Sequence, residues 1–233
     1  MKDYPIRQSC RILRNWREMI KGAIFDMDGT LIDSMFIFAD MPREMLAEQG
    51  IVAPPDINAR LRRLSLKQMA EYCRAEFGVK QSADEIIRQI VERVYSFYVN
   101  EVEAKPGIPE LLARLKAQGT VMCVITASER AVAEAALKRT GLLDYFKGII
   151  TCSEFGSGKS QPDIYRAGLE LLGTDLSNTI VFEDEIHAIE TLKADGFTVC
   201  GVAEKCVPEQ DRVRELADHY FDPDDETTWK GIV

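Results

Sequence analysis

The chain has 233 residues, 46% of them hydrophobic, and its 38 acidic residues outnumber its 29 basic residues to give a net charge of −9. This apolar content excludes a disordered chain. The acidic balance argues against partners such as nucleic acid or an anionic membrane, and no apolar run approaches the roughly 18 residues of a membrane span. We therefore expect one domain with a modest insertion, since a domain usually takes about 100–200 residues.

The first eighteen residues differ in charge from the rest of the chain. They hold five basic and two acidic residues, and they lack the apolar region of a secretory signal. Their arginines have helical spacing, which predicts a short basic helix over this N-terminal extension. The alternative is that the protein starts at Met19, directly before a strand, and that residues 1–18 are a start-site artefact.

Downstream, apolar runs typical of buried strands alternate with helical stretches. The five runs, in chain order, are KGAIFDMD, TVMCVITAS, GIITCS, TIVFEDE and FTVCGVAE. The helices between them begin at a proline or serine and end at a glycine, as in Pro109–Gly119, Ser128–Gly141 and Pro162–Gly173. This alternation predicts an α/β fold, a Rossmann-like doubly wound parallel sheet with helices on both faces.

One block, residues 34–103, interrupts the alternation with helix signals alone. One helix is expected from Ser65 to Gly78, and another begins at Ser82, where Glu85 three residues later completes a capping box. The block is far longer than an ordinary strand-to-helix connection. It predicts an all-helical domain inserted between core segments 19–33 and 104–233, with 105–107 as the return hinge. The alternative is that these helices pack directly on the sheet.

Polar side chains follow four of the predicted strands. Asp26 and Asp28 end the first, Thr126 ends the second, Lys159 lies in the loop after the third, and Asp184 ends the fourth. In an open parallel sheet, ligands bind beyond the carboxyl ends of the strands. We therefore expect these side chains to gather at one edge.

This set of side chains suits phosphoryl chemistry. Carboxylate oxygens are ligands that Mg²⁺ prefers, and a lysine supplies a compact positive charge for a phosphoryl oxygen. Thr126 offers a hydroxyl, and the helix start after it offers backbone N–H groups. A carboxylate can also act as a nucleophile through an aspartyl-phosphate, while a neighbouring carboxyl group transfers protons.

Four segments resemble, in order, the motifs of the haloacid dehalogenase-like phosphatase superfamily. They are DMDGTLIDS, VITAS, GKSQPDIY and VFED. The resemblance covers roughly residues 20–221, and it is nearest to the β-phosphoglucomutase and phosphoglycolate phosphatase subgroup. That subgroup carries a helical cap between its first two motifs, so the resemblance implies that residues 34–103 are a cap domain.

The resemblance implies catalytic roles for individual residues. Asp26 would be the nucleophile, and Asp28 would be the general acid toward the leaving alcohol and then the general base for water. Thr126, the backbone at Ala127 and Lys159 would bind the phosphoryl oxygens. Lys159 would also pair with the Asp26 carboxylate.

A Mg²⁺ cofactor is implied in the same way. Its ligands would be Asp26, the backbone carbonyl of Asp28, and Asp184, with Glu183 acting through a bound water. The chain departs from the family pattern at Glu185 and Ala188, where serine and glycine are usual, and these changes bear on metal affinity.

The expected function is hydrolysis of a small phosphorylated metabolite, a sugar phosphate or a phosphoglycolate-like compound. A β-phosphoglucomutase-like mutase is one alternative, but Phe38 and Leu66 stand where such mutases carry a histidine and an arginine. A catalytically silent binding or regulatory protein of the same fold is the other. We expect a monomer or weak homodimer. We expect it in the cytoplasm, because several of its six cysteines, such as Cys123 and Cys200, fall in apolar runs, which is typical of buried reduced thiols.

Overall fold

A computed structural model describes residues 20–61, 64–207 and 209–229. The chain divides into two units, one formed by the segment up to Asp33 together with Glu103 onward, and the other by Ser34–Val102. The expectations for residues 1–18 fall outside the described residues. Within the described part of the chain, no helix combines the length and apolar character needed to cross a membrane.

The first unit contains a six-stranded parallel sheet. Its strand order is β5-β4-β1-β6-β7-β8, so β1 lies at the centre between β4 and β6. The strands are β1 Gly22–Phe25, β4 Val121–Thr126, β5 Ile149–Thr151, β6 Thr179–Glu183, β7 Thr198–Val202 and β8 His219–Phe221. The register pairs Phe25 with both Val124 and Phe182. The carboxyl ends of the three central strands therefore lie level with one another.

The sheet is buried on both faces. All four residues of β1 are buried, as expected where helices cover a parallel sheet on each side. On one face, Ile24 and Val181 belong to a core cluster with Ile164 and Ile189 of two helices. On the other face, the rings of Phe25 and Phe182 stack with centroids 4.4 Å apart. Alternate side chains of each strand thus fill two separate cores.

Helices follow the strands through most of this unit. They are α5 Ile108–Ala117, α6 Arg130–Arg139, α7 Cys152–Phe155, α8 Asp163–Leu172, α9 Ile186–Ala194, α10 Gln210–Leu216 and α11 Glu226–Trp229. Helix α8 begins after Pro162 and ends at Gly173, which has a left-handed conformation, as its sequence predicts. At Gly168 an added Cβ would meet Ile24 Cδ1 at 2.8 Å, so this glycine lets α8 approach the sheet closely.

A short antiparallel pair marks the connection to the second unit. Strands β2 Ile32–Asp33 and β3 Glu103–Ala104 pair Asp33 with Glu103. The chain leaves the sheet unit immediately after β2 and returns immediately before β3.

The second unit, Ser34–Val102, is helical. Its helices are α1 Met35–Glu48, α2 Ile57–Leu61, α3 Leu66–Phe77 and α4 Ala83–Asn100. Ser65 and Ser82 both form complete capping boxes, with Gln68 and Glu85 respectively. The helices share a core of buried apolar residues that includes Leu46, Ile57 and Ile90, so this unit has a hydrophobic core of its own.

The predicted α/β fold with a parallel sheet is confirmed. Three strands were not predicted: β8 at the edge of the sheet, and β2 and β3. The last two have only two residues each, which is too short for any periodic pattern.

Candidate active site

Three carboxylates meet at the carboxyl ends of β1 and β6. Asp26 directly follows β1, and its N–H continues the ladder by donating to the Phe182 carbonyl at 3.0 Å. Glu183 is the last residue of β6, and Asp184 follows it. All three residues are buried, and they offer carboxylate oxygens within 4.8 Å of one another.

Lys159 brings a positive charge to this cluster from the loop between α7 and α8. Its ammonium forms a hydrogen-bonded ion pair with Oδ1 of Asp26 and lies 2.7 Å from Oε1 of Glu183. The Lys159 side chain is 12% exposed and that of Glu183 is 1% exposed. The lysine therefore neutralises part of a densely negative site from which water is largely excluded.

Tyr165 on α8 is a site residue that sequence reasoning missed. Its hydroxyl donates to Oε1 of Glu183 at 2.8 Å, and its side chain is buried. Glu183 is thus fixed by a lysine and a tyrosine, whereas the sequence suggested only a role through metal-bound water. The tyrosine within the PDIY segment was the available signal, but the sequence placed it only at the start of the helix expected from Pro162 to Gly173.

The turn after β1 is held by backbone hydrogen bonds. The Met27 carbonyl accepts from the N–H groups of Thr30, Leu31 and Ile32 at 3.3, 2.9 and 3.1 Å. Gly29 has a φ of 82°, a conformation in which a residue without Cβ is favoured. The Thr30 hydroxyl donates to Oδ1 of Asp184 at 3.3 Å, so the turn also supports a residue of the acidic cluster.

The side chain of Asp28 has a different partner. Ser128, just beyond β4, donates from Oγ to Oδ2 of Asp28 at 2.7 Å. The Ser128 N–H in turn donates to the hydroxyl oxygen of buried Thr126 at 3.0 Å, while Ala127 between them is exposed. Asp28 therefore lies between the first and second strand ends, next to the segment predicted to bind phosphate.

Burial dominates the electrostatics of the cluster. Desolvation raises the pKa of Asp26 to about 7, Lys159 opposes this rise, and the charges of Glu183 and Asp28 add to it. Desolvation, together with the charges of Asp26 and Glu183, also raises the pKa of Asp184 well above its usual range. Burial opposes the charged form of Lys159, but the neighbouring carboxylates outweigh it and raise the pKa of the ammonium.

The acidic cluster fits a divalent cation such as Mg²⁺. Among the described residues, buried oxygens without a hydrogen-bond partner include Oδ2 of Asp26 and Oε2 of Glu183. Unsatisfied buried carboxylate oxygens are unfavourable unless a cation or proton binds them. Mg²⁺ prefers hard oxygen ligands and is usually bound by one or two carboxylates together with waters. The donor set is therefore compatible with the expected cofactor.

The sequence model of a family described as haloacid dehalogenase-like hydrolase matches residues 23–202. The chain belongs to this family. The resemblance inferred from the four motifs is thereby confirmed, and so is the expectation of a hydrolase of this family.

Named relatives and solved structures agree with the assignment. A phosphorylated carbohydrates phosphatase from Thermotoga maritima is 24% identical over 76% of this chain and 82% of its own. A fructose-1-phosphate phosphatase from Escherichia coli is 28% identical over 79% of this chain and 97% of its own. The crystal structure of a family hydrolase from Deinococcus radiodurans with bound phosphate and sodium covers 88% of this chain and 92% of its own, with 22% identity and a TM-score of 0.72.

Most of the residues singled out in the sequence lie together. Asp26, Lys159, Glu183 and Asp184 form one contact cluster. Asp28 and Thr126 are linked to each other through Ser128.

Proposed function

We propose that this protein is a Mg²⁺-dependent phosphatase that hydrolyses the phosphomonoester of a small phosphorylated metabolite through a phosphoaspartyl intermediate. The observation that carries the proposal is the ion pair of Lys159 with Asp26 inside a buried acidic cluster. The named relatives act on phosphorylated carbohydrates and on fructose 1-phosphate, which favours a sugar phosphate as substrate.

In the first half-reaction, a carboxylate oxygen of Asp26 attacks phosphorus while the bond from phosphorus to the leaving oxygen breaks. Asp28, as a carboxylic acid, gives its proton to that oxygen, so an alcohol leaves rather than an alkoxide. Lys159 and the backbone near Ala127 neutralise the equatorial phosphoryl oxygens, since phosphoryl transfer depends mainly on positioning and charge stabilisation.

In the second half-reaction, water attacks phosphorus and Asp28, now a carboxylate, accepts its proton. The bond between phosphorus and the Asp26 oxygen breaks, which releases inorganic phosphate and restores both aspartates. The Ser128 hydroxyl, 2.7 Å from Oδ2 of Asp28, keeps this carboxyl group beside the strand ends throughout the cycle.

Asp26, Asp184 and the Asp28 backbone carbonyl would hold Mg²⁺, and Glu183 would support it from further out. The cation would supply positive charge that favours the ionised form of Asp26 and neutralises the transferred group. Without a cation, burial keeps the pKa of Asp26 near 7, so part of the protein would lack the nucleophilic carboxylate at neutral pH.

Hydrolysis of p-nitrophenyl phosphate and of a panel of metabolite phosphates, with Mg²⁺ and with EDTA, tests the proposal. We expect metal-dependent phosphate release that Asp26→Asn abolishes and that Asp28→Asn lowers almost as far. Asp144→Asn, at an exposed position outside the site, is the matched control and should leave activity unchanged. Wild-type activity in Asp26→Asn would contradict the mechanism.

The other outcomes separate the two alternative functions. Isomerisation of a sugar phosphate in the presence of a bisphosphate, with little phosphate release, would indicate a mutase. Binding of a phosphorylated compound without any turnover would indicate a silent binding protein. Phe38 and Leu66, as apolar residues, supply neither the proton transfer nor the charge that the mutase reading needs.

A further inference from the structure

A second buried ion pair lies in the same unit as the acidic cluster, and the proposed mechanism does not use it. The side chains of Lys105 and Glu204 are 6% and 3% exposed, and Nζ lies 2.6 Å from Oε2. Buried ion pairs are often no more stabilising than apolar residues of similar size. The pair therefore calls for an explanation other than stability.

The Lys105 ammonium donates to the Gly29 carbonyl at 2.6 Å and to the Ala203 carbonyl at 2.7 Å. Glu204 adds an ionic contact, with Oε2 2.6 Å from Nζ. Oε1 of Glu204 also accepts from the Cys206 N–H at 2.9 Å. The pair thus joins the turn after β1 to the loop after β7 and to the segment that follows β3.

Gly29 is the residue of the β1 turn with the greatest conformational freedom, because it has no Cβ and a φ of 82°. Two contacts hold it in this conformation. Its N–H donates to the Ile32 carbonyl at 3.1 Å, and its carbonyl accepts from Lys105. Both peptide groups flanking Gly29 are therefore fixed, and one of them contains the Asp28 carbonyl.

We infer that Lys105, itself held by Glu204, is a positioning residue that keeps the turn Asp28–Thr30 in the geometry required for proton transfer by Asp28. The inference rests on the proposed function, since it takes Asp28 as the acid and base. Displacement of a reacting group by about 1 Å can cost a factor of 10² in rate. Lys105 contacts the turn rather than the reacting atoms, so its effect on the reaction is indirect.

The double variant Lys105→Met/Glu204→Gln tests the inference. It replaces both charges by neutral side chains of similar size and so avoids leaving one buried charge unpaired. The matched control is Lys193→Met/Asp218→Asn, which removes a Lys–Asp pair of the same unit. In that pair Nζ lies 2.6 Å from both carboxylate oxygens, and its side chains are about a third exposed.

The readout compares kcat/KM for p-nitrophenyl phosphate and for the sugar phosphate that ranks first in the substrate panel. Nitrophenolate leaves readily without a proton, whereas a sugar alkoxide needs one, so proton donation matters more for the sugar phosphate. We expect the double variant to lose about tenfold more kcat/KM on the sugar phosphate than on the nitrophenyl ester. The control variant should keep the wild-type ratio.

Lys105→Arg keeps a positive charge beside Glu204, so no buried charge is left unpaired, but it replaces the ammonium that contacts the two carbonyls. It should change the ratio in the same direction by a smaller factor, and it provides the test should the double variant not fold. An equal loss on both substrates would indicate a merely structural pair and overturn the inference. A changed Mg²⁺ requirement with an unchanged ratio of the two kcat/KM values would also overturn the inference, because that result would place the effect at the acidic cluster.

These outcomes are distinct from failure of the proposed function. That failure would appear as an inactive wild-type protein or as an active Asp26→Asn variant. The positioning inference is decided only by variants of a chain that hydrolyses both substrates.

Discussion

The phenol of Tyr165 and the carboxylate of Glu183 are joined by a buried hydrogen bond of 2.8 Å. The oxygen that accepts this bond also lies 2.7 Å from the ammonium of Lys159. A residue in the first turn of helix α8 therefore holds the second carboxylate that the lysine of the candidate site contacts. Through this contact the candidate site extends from the strand ends to helix α8.

Tyr165→Phe removes one oxygen and leaves the ring in place. We expect kcat to fall about tenfold, equivalent to about 1.4 kcal/mol of barrier, because Glu183 loses a donor and Lys159 becomes less firmly held. The measurement is steady-state hydrolysis at saturating Mg²⁺. Tyr220→Phe, which removes a hydrogen bond to Gln210 elsewhere in the unit, is the control, and equal effects of the two variants would contradict the prediction.

Ser128→Ala removes the 2.7 Å hydrogen bond to Asp28 and keeps the backbone contact with Thr126. Hydrogen bonds to charged groups contribute about 1.5–3 kcal/mol, so we expect kcat/KM to fall by a factor of about 10 to 150 with no change in the folded structure. Circular dichroism and steady-state kinetics measure the two effects. Ser153→Ala, which loses an exposed contact with Glu129, should remain fully active. A fully active Ser128→Ala would show that other contacts suffice to position Asp28.

The raised pKa of Asp26 predicts a pH dependence of stability in the metal-free protein. Its pKa is about 7 when folded, against a usual value of 3.8. Between these values the folded state binds more protons than the unfolded state, so the free energy of unfolding should decrease as the pH rises from about 4 to about 7.

Urea denaturation in EDTA across this pH range measures the effect. In Asp26→Asn the free energy of unfolding should decrease less steeply with pH. Asp184, whose pKa is also raised, should account for part of the remaining decrease. Excess Mg²⁺ should flatten the wild-type profile, because a bound cation favours the ionised carboxylates. A steeper decrease in Asp26→Asn would be incompatible with this origin.

Gly201→Ala tests the packing of α10 against β7. The added Cβ would lie 2.8 Å from Val213 Cγ1, 3.1 Å from Ala217 Cβ and 3.3 Å from the Val213 carbonyl oxygen. Such overpacking typically costs about 1–3 kcal/mol, which we expect as a lower free energy of unfolding in urea. Gly158→Ala, where an added Cβ meets nothing within 4 Å, should show no such loss.

The convergence of the candidate catalytic residues could be predicted because it follows from one property of parallel sheets. Asp26, Lys159 and Asp184 are far apart in the chain, but each follows a strand whose carboxyl end faces the same edge. Residue type and position relative to a strand were sufficient to group them. The helix ends at Ser82 and Gly173 were predictable for a similarly local reason, since capping needs only neighbouring residues.

The supporting residues could not be predicted because their roles depend on contacts between distant segments. The sequence indicated Lys105 as part of a hinge, Ser128 as a helix start and Tyr165 as part of the helix that follows Pro162. Each of these local interpretations describes the backbone near that residue. None identifies the residue's partner. The partners are Gly29 for Lys105, Asp28 for Ser128 and Glu183 for Tyr165, and only the packing of the sheet and its helices brings each pair together.

The pairing of Asp33 with Glu103 makes the whole of Ser34–Val102 equivalent to the loop of a β-hairpin. The entropic cost of closing a loop increases only with the logarithm of its length, so the sheet unit tolerates a very long insertion at this position. A two-residue Asn-Gly turn in its place should therefore leave the register of Ile32 with Ala104 intact.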